Sequence, residues 1–124
     1  MRSDNILYFT QREEEFANLL IGLGVKRNVA KVLVYLSRVS EATSREIERG
    51  TDLRQPEVSI AMRTMKENRW VESRESKADS KGRPVKIYQL VRPINEIMDT
   101  IESDKKKEAK TQLDLIQQLR DYVS

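Results

Sequence analysis

Apolar residues in this chain recur first at helical spacing, then at strand spacing, then at helical spacing again. Across residues 10–23, Phe16, Leu19, Leu20 and Leu23 predict one apolar helix face. Thr10 is the expected N-cap, Glu13, Glu14 and Glu15 fall in the first turn, and Gly22 and Gly24 end the helix. Residues 26–38 repeat the pattern with Val29, Val32, Leu33 and Leu36, and Val25 and Val39 stand at the ends. A short helix over residues 43–49 starts at the Thr43-Ser44 pair, with Glu46 or Glu48 at the positive end of its dipole. Gly50 is expected to stop it in the left-handed conformation, and Thr51, Asp52 and Leu53 turn the chain. The next helix begins near Arg54 or Gln55 with Pro56 in its first turn, and buries Val58, Ala61, Met62 and Met65. Arg54, Gln55, Ser59, Arg63 and Lys66 remain on its opposite side.

The period then changes. Residues 70–75 start with apolar and polar side chains alternating, and so do residues 85–90, where Val85, Ile87 and Gln89 face one side and Lys86, Tyr88 and Leu90 the other. Between them lies a polar, turn-rich stretch, so the pair reads as a β-hairpin with an extended tip. Its loop holds Lys77, Lys81, Arg83 and Lys86 against the single acid Asp79. A last helix is predicted over residues 93–122. Apolar positions Ile94, Ile97, Met98 and Ile101 open it, and Leu113, Leu115, Ile116, Leu119, Tyr122 and Val123 close it, with a charged middle between. Such a helix is about 45 Å long, too long to cover both apolar ends on its own domain. A second copy of the chain, with helices antiparallel or crossing, is the economical cover. The fold class is thus mainly α with a small β-hairpin (α+β).

Length and charge narrow the rest. The 124 residues suffice for one domain and an extra element. The expected layout is an N-terminal arm at 1–10, where Ile6 to Phe9 run together, a domain at 11–92, and a dimerisation helix at 93–124. Cysteine and histidine are both absent, which excludes disulfides, thiolate zinc sites, cysteine nucleophiles and Ser-His-Asp triads. Carboxylates are abundant but come as i, i+1 and i, i+2 runs on solvated helices, without His or Cys, and no glycine-rich phosphate loop is present, so an enzyme is not expected. No cofactor is implied. No apolar run reaches the roughly 18 residues of a membrane span, and the N-terminus has no signal-peptide pattern, so a cytoplasmic protein is expected. Residues 43–92 hold 12 Lys/Arg against 8 Asp/Glu, whereas residues 93–124 hold 5 against 7. The net charge of +3 is therefore concentrated where a nucleic-acid surface would lie.

A helix, a short turn and a helix with an Arg/Gln/Ser face form a helix-turn-helix pattern, and the basic hairpin after it reads as a wing. TSREIERGTDLRQPEVSIAMRTMKENRWVE and the later GRPVKIYQL resemble the small archaeal and bacterial winged helix-turn-helix regulators of the TrmB, ArsR and MarR groups. The resemblance covers residues 23–90. It departs from TrmB in the absence of a sugar-binding domain, from ArsR in the absence of metal-binding Cys or His, and from MarR in having one long helix after the wing. No separate effector domain is expected, and a small-molecule effector remains unassigned.

The resemblance implies a homodimer that binds double-stranded DNA in a sequence-specific way. Gln55 and Ser59 would reach base edges, with Gln55 suited to adenine. Arg54 and Arg63 would read guanine or hold phosphate, and Pro56 would touch a thymine methyl. Lys77, Lys81, Arg83 and Lys86 of the wing would meet the backbone or minor groove, and Ser44 and Arg45 a phosphate. Ile94, Ile97, Met98, Ile101, Leu113, Ile116, Leu119, Tyr122 and Val123 would form the dimer contact. The competing expectation is a winged helix that binds protein within the transcription machinery, favoured by the modest charge and by Glu57 and Glu67. RNA binding would call for exposed aromatics, and Trp70 and Tyr88 read as core and strand residues instead.

Overall fold

A computed structural model describes residues 9–76 and 84–124. Among these residues the order is α1 (Gln11–Gly22), α2 (Arg27–Arg38), β1 (Ala42–Thr43), α3 (Ser44–Thr51), α4 (Gln55–Glu67), β2 (Val71–Ser76), β3 (Val85–Leu90) and α5 (Ile94–Val123). The chain divides into two compact units between Pro93 and Ile94.

In the first unit α2 is the central element. Every residue from Val29 to Leu36 is buried, including Lys31, so the helix has no solvent face over two turns. The predicted stripe of Val29, Val32, Leu33 and Leu36 is buried, and so are Ala30, Val34 and Tyr35 on the other sides. α1, α3 and α4 all pack against α2. Lys31 is held by its ammonium, which donates to the Thr51 carbonyl at 3.4 Å and lies 5.9 Å from the Phe9 ring centre.

α1 shows a rotated face. Thr10 caps it through a capping box: the Glu13 amide donates to Thr10 Oγ1 at 3.2 Å, and the Thr10 amide donates to Glu13 Oε1 at 2.8 Å. Glu13 is buried by that role and by Arg38, 3.6 Å away. The inward line is therefore Glu13, Ala17 and Leu20, with Phe16 at its edge. Leu19 and Leu23, expected inside, are 72% and 51% exposed.

The helix ends also differ from expectation. Gly50 does not stop α3. It is buried within the helix, whose left-handed residue is Asp52 at φ 57°. An aspartate tolerates this region better than most side chains because its short carboxyl bonds locally. α1 and α4 end alike. The Val25 amide donates to the Leu20 carbonyl past Gly24 at φ 99°, and the Trp70 amide donates to the Met65 carbonyl past Arg69 at φ 60°. One end uses glycine and the other forces an arginine into the same conformation.

The sheet has three strands rather than the expected two, in the order β1-β3-β2, all antiparallel. The β2–β3 register runs from Val71 opposite Leu90 to Ser76 opposite Val85. β1 adds Ala42 opposite Tyr88 and Thr43 opposite Ile87. Ile87 and Tyr88 lie on opposite faces of β3 and both are buried, so the strand is covered on both sides at its centre. The wing residues Lys77, Lys81 and Arg83 lie outside the described residues, as do residues 1–8 of the expected arm.

The second unit is α5, a continuous 30-residue helix. Its charged middle is bridged by Lys106–Glu102 at 2.6 Å, Lys105–Glu108 at 3.1 Å and Lys110–Asp114 at 3.5 Å. The hydrogen bond and charge of Lys106 hold the Glu102 carboxyl below its ordinary range and Glu102 holds the Lys106 ammonium above its own. The Glu102 contribution is present above the ordinary carboxylate value and is lost as the pH falls through the lowered one.

Arg69→Gly should relieve the left-handed strain and raise unfolding stability by about 1 kcal/mol. Ile47→Ala, at a fully buried site on α3, should lower it by about 2–5 kcal/mol. Urea unfolding of both variants checks the pair; an Arg69→Gly protein less stable than the parent would contradict the strain at that turn.

Candidate nucleic-acid interface

The outward side of α4 is defined by what its inward side buries. Val58, Ala61, Met62 and Met65 are all packed, as their spacing predicted. Arg54, Gln55, Pro56, Ser59, Ile60, Arg63, Lys66 and Glu67 are exposed. Pro56 sits in the first turn, where a missing amide costs nothing.

The first turn of α4 is fixed from two directions. Glu57 Oε1 accepts from the Arg54 amide at 3.0 Å, which satisfies a free donor at the helix start. Its other carboxylate oxygen lies 3.9 Å from Arg27 of α2. The Asn28 side chain donates to the Glu57 carbonyl at 3.3 Å. Glu57 is thus engaged with α2 and its own helix end, while its side chain stays partly exposed.

Along the exposed side, Gln55 Nε2 donates to Ser59 Oγ at 2.9 Å, so the two predicted base-reading residues hold one another one turn apart. Among the described residues no acid pairs with Arg54 or Arg63. The Lys66 ammonium instead lies 5.6 Å from the Tyr88 ring centre, which draws it toward the sheet. Lys86 is exposed on β3 opposite Glu75.

α3 brings Ser44 and Arg45 to its first two positions. Thr43, not Ser44, is the N-cap: it accepts from the Glu46 amide at 3.2 Å and its own amide donates to Glu46 Oε1 at 2.9 Å. Ser44 Oγ donates to Glu48 Oε2 at 3.3 Å, and Arg45 is exposed. α3 and α4 therefore gather Ser44, Arg45, Arg54, Gln55, Pro56, Ser59 and Arg63 on two adjacent elements, with Lys86 on the sheet.

Two features were not found from the sequence. Ile60 stands 51% exposed amid the polar side of α4. The residues expected on that side are Arg54, Gln55, Ser59, Arg63 and Lys66, and the helical angle of about 100° per residue adds Ile60 to them. The second is a groove of about 540 Å³ between α1 and α2, lined by Arg12, Phe16, Leu19, Val34 and Arg38 among others. It arises from the rotated face of α1, which periodicity missed.

On α5 the apolar positions of the second half remain open. Leu113, Ile116 and Leu119 are 66%, 49% and 69% exposed, and Tyr122 and Val123 more so. Ile94, Ile97, Met98 and Ile101 recur at i, i+3, i+4 and i+7 in the first half. No helix among the described residues is long and apolar enough to cross a membrane.

Three helices, a helix-turn-helix and an antiparallel hairpin with a short third strand define a winged helix. Residues 23–82 match the model of the MarR family, and the fold of the described residues is that of a winged helix. Comparison with curated proteins gave no significant match. Among solved structures, TrmBL2, an archaeal chromatin protein, superposes with a TM-score of 0.65 at 15% identity, over 90% of this chain and 40% of that one. This chain thus spans two fifths of that protein's length. A possible transcriptional regulator from Methanosarcina mazei Go1 gives 0.60 at 15% identity, over 96% and 98% of the two chains. A transcriptional regulator homologue from Pyrococcus horikoshii OT3 gives 0.54 at 17%, over 84% and 99%. At these identities the likeness is one of fold.

Glu57→Ala should leave the Arg54 amide without its acceptor and Arg27 without its partner. We expect a loss of about 1 kcal/mol in urea unfolding. An unchanged midpoint would mean that the α4 start is held by packing alone.

Proposed function

We propose that this chain is a transcription regulator that binds double-stranded DNA sequence-specifically as a homodimer, with α4 in the major groove. The observation that carries this reading is the exposed side of α4, where among the described residues Arg54 and Arg63 have no acid partner and Gln55 and Ser59 lie between them. A helix with that side fits the width of the major groove, and its cations match the phosphate charge beside it. Gln55 reads adenine, and Arg54 and Arg63 contact guanine or phosphate. Ser44 and Arg45 take a phosphate at the start of α3. Lys77, Lys81, Arg83 and Lys86 meet the backbone or the adjacent minor groove. TrmBL2, whose structure is described as showing a novel mode of DNA binding, has the same fold and supports the assignment.

In this reading the chain comprises an arm at 1–10, the DNA-binding domain at 11–92 and a dimerisation helix at 93–124. The exposed Leu113, Ile116, Leu119, Tyr122 and Val123 support the last assignment, since a monomer would leave that apolar edge in water. Two copies would read half-sites about one helical turn apart, roughly 10–11 base pairs.

Anisotropy titration against a random duplex of about 30 base pairs should show log K falling steeply with log salt. Arg63→Ala or Arg83→Ala should weaken binding and flatten the slope by about one if the residue holds phosphate. Loss confined to one sequence would assign that arginine to base reading. No binding at low salt would overturn the regulator reading in favour of a protein-binding winged helix. Truncation after Leu90 should yield a monomer by sedimentation. A truncated chain that stays dimeric would move the interface to the N-terminal helix.

A further inference from the structure

The outward side of α4 carries an apolar side chain that hydrogen bonding to DNA leaves unused. At about 100° per residue, Val58, Ala61, Met62 and Met65 point one way while Pro56, Ile60, Arg63 and Glu67 point the other. One exposed isoleucine is ordinary on a protein surface. Its position is what counts here. Ile60 lies one turn after Pro56, near the middle of the outward side, with Ser59 beside it and Arg63 one turn on. Its β-branched side chain has little rotamer freedom in a helix, so the apolar group is held in a fixed direction.

We propose that Ile60 is a specificity-determining residue that reads the C5-methyl group of a thymine in the major groove. This rests on the DNA-binding reading above and adds to the thymine contact expected of Pro56 a second apolar one, one turn further along α4. The thymine methyl is the apolar feature of the major-groove edge, whereas cytosine offers an amino group there that Ile60 would desolvate without pairing. Gln55 complements this. With one Nε2 proton on Ser59, its other N–H and its carbonyl remain for the N7 and N6 of adenine. Gln55 and Ile60 are about 7.5 Å apart along the helix axis and about 140° apart around it, so they would meet different bases.

The test uses the full chain and a duplex of about 30 base pairs selected by it from a random pool. Each thymine of the selected site is replaced singly by deoxyuridine, which removes the methyl and nothing else. One such replacement per half-site should weaken the wild-type protein about fourfold. Ile60→Ala should bind the thymine and deoxyuridine duplexes alike while keeping the parent's salt slope and unfolding midpoint. Ile60→Val should keep part of the preference. The proposal is overturned if every deoxyuridine duplex binds as tightly as its parent, or if Ile60→Ala retains the wild-type ratio. If the protein binds random DNA in a salt-dependent way but selects no site, the Ile60 role fails while DNA binding stands. If it binds no duplex, both readings fail together.

Discussion

The burial of α2 on every side is the constraint from which the rest of the first unit follows. A helix with no solvent face over Val29–Leu36 has to be enclosed, and α1, α3 and α4 are the enclosing elements. Enclosure also positions the outward residues. Arg27 and Asn28 at the start of α2 reach Glu57, and Lys31 reaches the last carbonyl of α3. The two helices that would carry the DNA contacts are therefore tied at their facing ends to one buried rod. The polar groups are oriented by packing that none of them supplies.

What the sequence made legible was the part in which one periodicity had one cause. The buried stripes of α2 and α4 and the bounds of β3 were readable because apolar packing alone determines them. α1 was misread because Glu13, a charged residue, takes an inward place through its cap and Arg38, which turns Leu19 and Leu23 outward. Hydrophobicity cannot anticipate a buried carboxylate with two partners. Gly50 was misread for a related reason. A glycine at a helix end suggests a stop, yet here the chain takes the left-handed turn two residues later, at Asp52.

The candidate site was legible in its composition and not in its internal arrangement. That Gln55, Ser59 and Arg63, at i, i+4 and i+8, share a side of α4 follows from spacing. That Gln55 and Ser59 bond to each other, that Glu57 is drawn to α2, and that Lys66 leans over Tyr88 depend on distances only the folded chain provides. Ile60 is the apolar residue among them, exposed because its helical angle is roughly opposite that of Val58, Ala61 and Met65. For the wing, Lys77, Lys81 and Arg83 rest on sequence alone.

Thr43 belongs to two structures at once. It pairs with Ile87 as the end of β1, and its hydroxyl caps the first turn of α3. Fraying the helix would release the residue that holds the third strand, and peeling that strand would uncap the helix. Strand edge and helix start thus form one cooperative unit, whose amide protons exchange with solvent through a shared opening rather than two separate ones. A perturbation of the hairpin would be felt at Ser44 and Arg45 without any side chain bridging the distance.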